Sequence, residues 1–175
     1  MKYKQLLKLA SLFELLTMGN SNCKQPSYWG KGAAGIMFVC KEKDEPDQIL
    51  LLKRAPWVAQ GGTWGIAGGA VDVDLHWYNT PIQDPITDES IFLQTAEREV
   101  LEECGSLPEY TVIGKTEYED CGFKYITYIA QVSPETKQAW NPVSTDRETD
   151  EFKWFPINDL PPNLHFGVKF TLSKM

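Results

Sequence analysis

Three glutamates in one short segment are the residues best suited to chemistry in this sequence. Glu99, Glu102 and Glu103 stand at positions i, i+3 and i+4, a spacing that puts side chains on one face of a helix. The i, i+4 pair of like charges costs about 0.2–0.5 kcal/mol on an isolated helix. A divalent cation turns this repulsion into attraction, and Mg²⁺ binds carboxylate oxygens together with substrate phosphates. On this spacing alone a solvated acidic face is the favoured interpretation, with a metal site as the alternative; the sequence around the glutamates decides between them.

The elements around these glutamates are predicted to place them at the end of a helix. Residues Ile91 to Cys104 form the predicted helix, with Asp88 or Ser90 as the N-cap. Gly105 stands just past its end, where a helix commonly stops at glycine. A metal site on these glutamates would therefore lie where this helix ends.

The segment around this helix resembles the Nudix box, whose pattern is G-x5-E-x7-R-E-U-x-E-E-x-G-U, with U a bulky apolar residue. Residues Arg98–Gly105 (REVLEECG) match its core R-E-U-x-E-E-x-G without a gap. Gly69 resembles the first glycine of the pattern, and Gly62–Gly69 (GTWGIAGG) resembles the strand and loop that lead into it. A weaker resemblance runs from about Gly30 to Pro161. The chain is thus identified as similar to the MutT-like pyrophosphohydrolases of the Nudix family.

The first half of the box departs from the family pattern. It contains an insertion of about 14 residues, centred on His76–Tyr78. The position seven residues before Arg98, where the pattern has glutamate, is Ser90, and Glu89 is one residue further away. Either Glu89 serves through a small bulge at the helix start, or this role is lost.

The resemblance implies hydrolysis of a nucleoside diphosphate linked to another group, with Mg²⁺ as the cofactor and Mn²⁺ as a substitute. By position, Glu99, Glu102 and Glu103 are expected as metal ligands, and the carbonyl of Gly68 is expected to add another. Glu102 and Glu103 are also expected to be catalytic, together with Arg98, which resembles the arginine that orients a box glutamate.

A further acidic residue is expected from a loop before a late strand, as the resemblance implies. Glu148 is the first choice and Glu151 the second, each as a general base or an additional ligand. A simple exposed charge is the alternative for both.

Substrate contacts are expected from residues outside the box. Lys53 and Arg54, at the end of a predicted strand, are placed to reach a phosphate. Trp64 is a candidate for stacking on a base, with core packing as the alternative. Asn163 follows two prolines and resembles the asparagine that reads the base in the 8-oxo-dGTP-cleaving branch. The expected partner is therefore a small-molecule nucleotide, either a modified nucleoside triphosphate or an ADP-ribose-like compound.

The order of elements predicts an α/β (α+β) fold with a mixed central sheet. Strands are predicted in the following segments: 33–40, 48–53, 64–67, 110–118, 123–132 and 151–155. Helices are predicted at 91–104 and 168–173. Strands interspersed with helices indicate a sheet packed between helices. The resemblance implies the Nudix-type α/β/α sandwich for residues 28–175.

Residues 1–20 are predicted to form an extra N-terminal amphipathic helix. Leucines recur at helical spacing before Gly19, and Lys8 and Glu14 interrupt the apolar run. The helix is expected to pack on the domain or on a second subunit of a homodimer. The charges and the lack of a following cleavage site argue against a signal peptide.

The composition narrows the classes of partner. The formal net charge is −7, so an acidic surface disfavours binding to duplex nucleic acid. No apolar stretch approaches the roughly 18 residues that span a membrane. The four cysteines show no C-x-x-C spacing, which predicts reduced thiols in a cytoplasmic protein.

A different functional class remains open beside the enzyme. A Nudix-fold module that binds a nucleotide in a regulatory role, with weak or no catalysis, fits the disrupted first half of the box. The intact glutamates Glu99, Glu102 and Glu103 argue for the enzyme.

Overall fold

The computed structural model describes residues 32–71, 89–120, 123–145 and 147–175. Its strands are β1 (Gly32–Cys40), β2 (Gln48–Arg54), β3 (Trp64–Gly65), β4 (Ala67–Ala70), β5 (Thr111–Asp120), β6 (Phe123–Val132) and β7 (Thr149–Pro156). Its helices are α1 (Glu89–Cys104), α2 (Pro134–Ala139) and α3 (Phe166–Lys174). None of these helices has the length and hydropathy that a membrane span requires.

The sheet is mixed and has β1 near its centre. The main strand order is β3-β2-β1-β6-β5, with β4 added on β1 and β7 on β2. β1 runs parallel to β6, and the other pairs are antiparallel. One edge of β1 bonds to β4 through residues 33–36 and to β2 through residues 39–40. The glycines of β4 are thereby fixed beside the central strand.

The continuous apolar run of β1 is explained by burial on both faces. All nine of its residues are buried. Ile36 and Phe38 point into one core cluster, whereas Met37 and Val39 point into the other. A strand covered on both sides has no solvent face, so its sequence does not alternate between polar and apolar residues.

The two helices that cover the sheet complete the layers. Helix α1 contacts β1, β4 and β6 and contributes Phe92, Ala96 and Val100 to the first cluster. Helix α3 places Val168 in the second cluster, on the opposite face. The predicted α+β fold with a mixed sheet between helices is therefore confirmed.

Buried hydroxyl groups attach α3 to the sheet. Thr171 of α3 donates to Thr127 on β6 over 3.1 Å and lies 3.3 Å from the Thr116 hydroxyl on β5. All three side chains are buried. Buried polar groups stabilise a fold only when they are paired, so this network holds α3 against β5 and β6.

Most predicted elements occur: β6 has its predicted bounds, the other boundaries shift by at most two residues, and the strand predicted at 64–67 divides into β3 and β4. Helix α1 begins at Glu89, so Ser90 lies inside the helix and is not its N-cap. Helix α2 was not predicted; Ser133 caps it by accepting from Thr136 N. The N-terminal helix, the insertion and Asp88 lie outside the described residues.

Candidate active site

Helix α1 brings the box glutamates to the sheet. Its apolar residues follow a three-to-four residue spacing and pack on β1 and β4. Gly105 ends it with φ +72°, a left-handed conformation that favours glycine, and Gly105 N donates to Leu101 O over 3.0 Å. The glutamates therefore lie on the last turns of a rigid helix.

A cavity of about 420 Å³ lies between this helix and the two glycines of β4. It is lined by Arg54, Gly68, Gly69, Ala70, Glu99, Glu102, Glu103, Thr145 and Glu148. The structure therefore brings together the three box glutamates, Gly68, Arg54 and Glu148, which the sequence predicted as site residues. We call it the acidic cavity.

The glycines of β4 let two carboxylates approach the backbone. Gly68 N lies 3.4 Å from Glu103 Oε1, and Glu103 is only 8% exposed. A Cβ added at Gly69 would lie 2.5 Å from Glu99 Cδ and Oε1. Only glycine leaves room for the Glu99 carboxylate there, which explains the glycine pair in physical terms.

Arg98 connects the glutamates of α1 to strand β4. Its guanidinium lies 2.7 Å from Glu99 Oε1 and donates to both oxygens of Glu102 over 3.0–3.1 Å. It also donates to Ala70 O over 3.0 Å, which ties the helix to β4. The expectation that Arg98 orients a box glutamate therefore has a geometric basis for Glu99 and Glu102.

The donor set of the acidic cavity fits a hard divalent cation. It consists of carboxylate oxygens with a formal charge of −3 for Glu99, Glu102 and Glu103, balanced by Arg98 alone in the helix. Within the described part of the chain, no three acidic, histidine or cysteine side chains are already gathered closely enough to hold an ion. A divalent cation held here would therefore need the carboxylates to draw closer together.

The loop before β7 closes the cavity from the other side. Glu148 lines the cavity, and its carbonyl accepts from Ala55 N over 2.8 Å. The Thr145 hydroxyl donates to the carbonyl of Glu102 at the end of α1. Glu148 is thus fixed through its backbone near the glutamates, whereas Glu151 pairs in register with Lys53 and is not among the lining residues described.

A second, mainly apolar cavity of about 130 Å³ adjoins the first. The two share Arg54, Gly68 and Gly69. The remaining lining residues described are Ala33, Ala59, Gln60, Gly65, Ile66, Phe123, Tyr125, His165, Phe166 and Gly167. We call it the aromatic cavity, because four of its side chains carry aromatic rings.

Two polar rings of the aromatic cavity have perturbed acidity. The pKa of His165 is lowered to about 4, mainly by burial and further by the positive charges of Arg54 and Lys169. The pKa of Tyr125 is raised by burial and by the negative charges of Glu103 and Glu99. Both groups are therefore uncharged at neutral pH and present hydrogen-bonding atoms without a net charge.

Facing glycines make room for the Tyr125 hydroxyl. Gly35 of β1 pairs with Gly68 of β4, and a Cβ added at Gly35 would lie 2.7 Å from the Tyr125 hydroxyl oxygen. A Cβ at Gly68 would lie 3.0 Å from the same atom. The hydroxyl consequently sits beside the backbone that separates the two cavities.

Three predicted substrate contacts lie elsewhere in the structure. Trp64 is buried in the core, where its ring meets Phe155 edge to face at 4.8 Å, as in the alternative of core packing. Asn163 donates through Nδ2 to Gly62 O over 2.5 Å. Lys53 pairs across the sheet with Trp64 and Glu151. None of the three lines either described cavity.

Glu89 is also turned away from the other glutamates. Its carboxylate lies 2.7 Å from Lys115 Nζ on β5, and its side chain is 56% exposed. Lys115 is shared with Glu117 at 2.8 Å. In this arrangement Glu89 belongs to a surface ion-pair network beside β5 and not to the acidic cavity.

Sequence reasoning missed the residues of the aromatic cavity. Phe123, Tyr125, His165 and Phe166 come from β6 and the start of α3, which are distant in sequence from the box. One local signal was available, since His165 is one of two histidines and stands three residues before the helix predicted at 168–173.

Comparisons with known proteins agree with this geometry. Residues 31–172 match the family model of the NUDIX domain. A Mycobacterium tuberculosis protein named "Putative 8-oxo-dGTP diphosphatase 3" is 35% identical over 160 residues, which cover 85% of this chain and 64% of that protein. The chain thus spans somewhat less than two thirds of the length of this curated relative.

Solved structures similar to this chain include two Nudix hydrolases. The Nudix hydrolase RenU of M. smegmatis is 32% identical, covering 78% of this chain and 77% of that chain at a TM-score of 0.50. The MutT NUDIX hydrolase of Burkholderia pseudomallei shares the fold at a TM-score of 0.52 and is 22% identical. The match covers 87% of this chain and 99% of that chain. With most of its length matched by the family model and its box glutamates gathered at one cavity, this chain belongs to the NUDIX domain family.

Proposed function

We propose that this protein hydrolyses a pyrophosphate bond in a nucleotide, a nucleoside diphosphate linked to another group, with Mg²⁺ as cofactor. Two adjoining cavities that share Arg54, Gly68 and Gly69 are the observation that supports this best. One presents carboxylates, and the other presents aromatic rings. A nucleotide has the matching polarity, with phosphates at one end and a flat base at the other.

The acidic cavity would hold the cation through Glu99, Glu102, Glu103 and the Gly68 carbonyl, with Mn²⁺ able to replace Mg²⁺. A bound Mg²⁺ neutralises phosphate charge and lowers the pKa of a coordinated water. Arg98 would keep Glu99 and Glu102 in orientation as the carboxylates draw together. Arg54, at the junction of both cavities, is placed to meet a phosphate group.

Glu148 is our candidate for the proton acceptor in this reaction. It reaches the cavity from the loop before β7, opposite the helix that holds the other carboxylates. A carboxylate on that side can accept a proton from an attacking water while the glutamates of α1 continue to hold the cation. A role as an additional ligand is the second possibility for this residue.

The proposed substrate is a modified nucleoside triphosphate. The name of the mycobacterial relative mentions 8-oxo-dGTP, and the aromatic cavity suits a single flat base. An ADP-ribose-like nucleotide is the second substrate class that we propose. Duplex nucleic acid stays disfavoured by the net charge of −7.

The direct test is a hydrolysis panel with the full chain. Canonical and oxidised (d)NTPs, ADP-ribose and dinucleoside polyphosphates are incubated with Mg²⁺, with Mn²⁺ or with EDTA, and the products are identified. We expect cation-dependent release of a nucleoside monophosphate from at least one compound. Cleavage that persists in EDTA, or the same absence of products with and without metal, would contradict the proposal.

A nucleotide-binding module with little or no catalysis is the second candidate. The surface position of Glu89, bonded to Lys115, favours it, because the fourth box carboxylate is then missing from the cavity. Calorimetric binding of a nucleotide that the panel does not turn over would select this function.

Several further predictions concern the molecule in the cell. A cytoplasmic location and a homodimer through residues 1–20 stay predictions, as does the absence of a membrane partner. The free, buried thiol of Cys40 is compatible with a reducing compartment.

A further inference from the structure

We propose that His165 determines base specificity by donating a hydrogen bond from Nε2 to a carbonyl group, so that 6-oxopurines bind better than 6-aminopurines. This inference rests on the proposed function, because it assigns the base to the aromatic cavity. It concerns a residue that belongs neither to the box nor to the contacts predicted from the sequence.

The imidazole lies where a base would stack. It lines the aromatic cavity together with Phe123, Tyr125 and Phe166. The ring of Phe166 is 4.9 Å from the imidazole centroid and is itself 39% exposed. A flat ring that enters beside Phe166 therefore meets the edge or the face of His165.

The backbone of His165 is held in place from both sides. His165 N donates to Trp64 O over 2.8 Å, and Trp64 N donates to Asn163 O over 2.9 Å. The side chain of Asn163 adds a bond to Gly62 O. Trp64 and Asn163, which the sequence suggested as base contacts, thus act as the frame that positions His165.

The tautomer of the imidazole follows from its own helix. Nδ1 accepts a hydrogen bond from Gly167 N over 3.2 Å, as the N-cap of α3. A neutral imidazole has one acceptor and one donor nitrogen, so the proton must be on Nε2. The lowered pKa, with Arg54 and Lys169 contributing positive charge, keeps the ring in this neutral form at pH 7.

A fixed donor discriminates between bases where a rotatable group does not. Nε2–H can only donate, so it can bond to a C6 carbonyl oxygen. The C6 amino group of adenine is also a donor and offers this N–H no acceptor. The Tyr125 hydroxyl can rotate to donate or accept, so it suits either base. Leaving a buried donor unpaired costs roughly 1–3 kcal/mol, which makes His165 the discriminating group.

The experiment compares the binding of IMP and AMP to the full-length protein by calorimetry. These monophosphates differ at C6 and at the N1 proton that goes with it, and neither has a pyrophosphate bond. We expect wild type to bind IMP about tenfold more tightly than AMP, the factor that corresponds to one unpaired donor. The His165→Phe and His165→Ser variants should bind both ligands within about twofold of each other.

The two variants differ in what they preserve. His165→Phe keeps a flat ring but removes both nitrogens, whereas His165→Ser keeps an oxygen that can cap Gly167 N and removes the ring. If one variant fails to fold in thermal unfolding, the other still tests the proposal. Phe166→Leu is the matched control, expected to weaken both ligands while the ratio between them stays near tenfold.

Two results would overturn the inference. One is equal affinity of wild type for IMP and AMP, and the other is selectivity that persists when His165 is replaced. Turnover of ITP and ATP with Mg²⁺, measured on the same preparations, keeps the two proposals separate. Selective IMP binding by a protein that cleaves neither ITP, ATP nor any compound of the hydrolysis panel would reject the hydrolase while leaving the role of His165 intact.

Discussion

At the scale of single residues, Glu102 shows how a side chain can matter for chemistry and little for stability. Its only described bonds through the carboxylate go to Arg98, and the side chain is 52% exposed. Exposed ion pairs contribute about 0–1 kcal/mol because water screens them. Glu103, by contrast, is buried against Gly68, so its charge is costly unless a partner is near.

We therefore expect Glu102→Gln to lower kcat by about 10²–10³-fold while the fold is retained, because the amide cannot replace a charged ligand. Steady-state kinetics on a confirmed substrate measures the first effect, and thermal unfolding measures the second. Glu119→Gln is the control, since Glu119 is another exposed carboxylate, located on β5. Turnover of Glu102→Gln equal to that of wild type would reject its assignment to the site.

The acidity of His165 gives a second expectation at this scale. The unfolded chain binds a proton near pH 6.5, whereas the folded imidazole stays neutral until about pH 4. The unfolded state thus gains protons first, so the free energy of unfolding falls as the pH decreases from 6.5 to 4. The loss is about 2 kcal/mol at pH 5 on this basis.

Denaturant unfolding across this pH range checks that expectation against His165→Ser. Carboxylates titrate in both proteins, so the difference between the two curves isolates the histidine. That difference should narrow as the pH falls. Parallel curves for the two proteins would show that burial does not suppress protonation of this imidazole.

At the scale of elements, α1 and β4 form the site as a pair, and their contact explains the two adjacent glycines. A Cβ at Gly69 would meet the end of the flexible Glu99 side chain. A Cβ at Gly68 would lie 2.7 Å from Ala34 O and 2.8 Å from Gly35 Cα, both of which are backbone. The first clash can be relieved by moving a carboxylate, and the second can be relieved only by moving the sheet.

Gly69→Ala should therefore change mainly Mg²⁺ affinity, whereas Gly68→Ala should change mainly stability. Gly69→Ala is expected to unfold within about 1 kcal/mol of wild type but to lose Mg²⁺ affinity, because Glu99 is displaced. Gly68→Ala is expected to lose about 1–3 kcal/mol of stability, as overpacked positions do. Denaturant unfolding and calorimetric titration with MgCl2 measure the two quantities. Identical stability losses in the two variants would contradict this account.

The elements also show what the sequence can and cannot predict. Strand β6 was predicted with its bounds unchanged, and α1 was predicted to within two residues, because both have a clear local periodicity. The three glutamates of the acidic cavity could be named because Arg98–Gly105 matches the box pattern and lies on one helix. The aromatic cavity depends on β6 and α3 meeting across the sheet, and no local pattern contains that pairing.

At the scale of the whole molecule, cation binding and folding should be linked. A ligand that binds only the native state stabilises it by about 2.7 kcal/mol at 100 times its Kd. For a chain of this size the melting temperature should then rise by about 5–10 °C. Thermal unfolding with increasing MgCl2 measures this shift without any substrate.

The Glu99→Gln/Glu102→Gln double variant should lose the Mg²⁺-dependent shift, because two of the proposed ligands become neutral. Glu117→Gln is the matched control, since Glu117 lies in the Lys115–Lys124 ion-pair network on the sheet surface. It should retain the full response. An equal response in all three proteins would mean that Mg²⁺ stabilises the chain at another place.

The parallel pairing of β1 with β6 has a consequence for the order of events during folding. Gly32 lies beside Lys124, about ninety residues further along the chain, and α1 needs β1, β4 and β6 in place to pack. Contacts between such distant segments require closing a long loop and form slowly compared with local turns. Hydrolytic activity should consequently return later in refolding than the helical circular dichroism signal. The interval between the two signals measures the time that β1 and β6 need to pair.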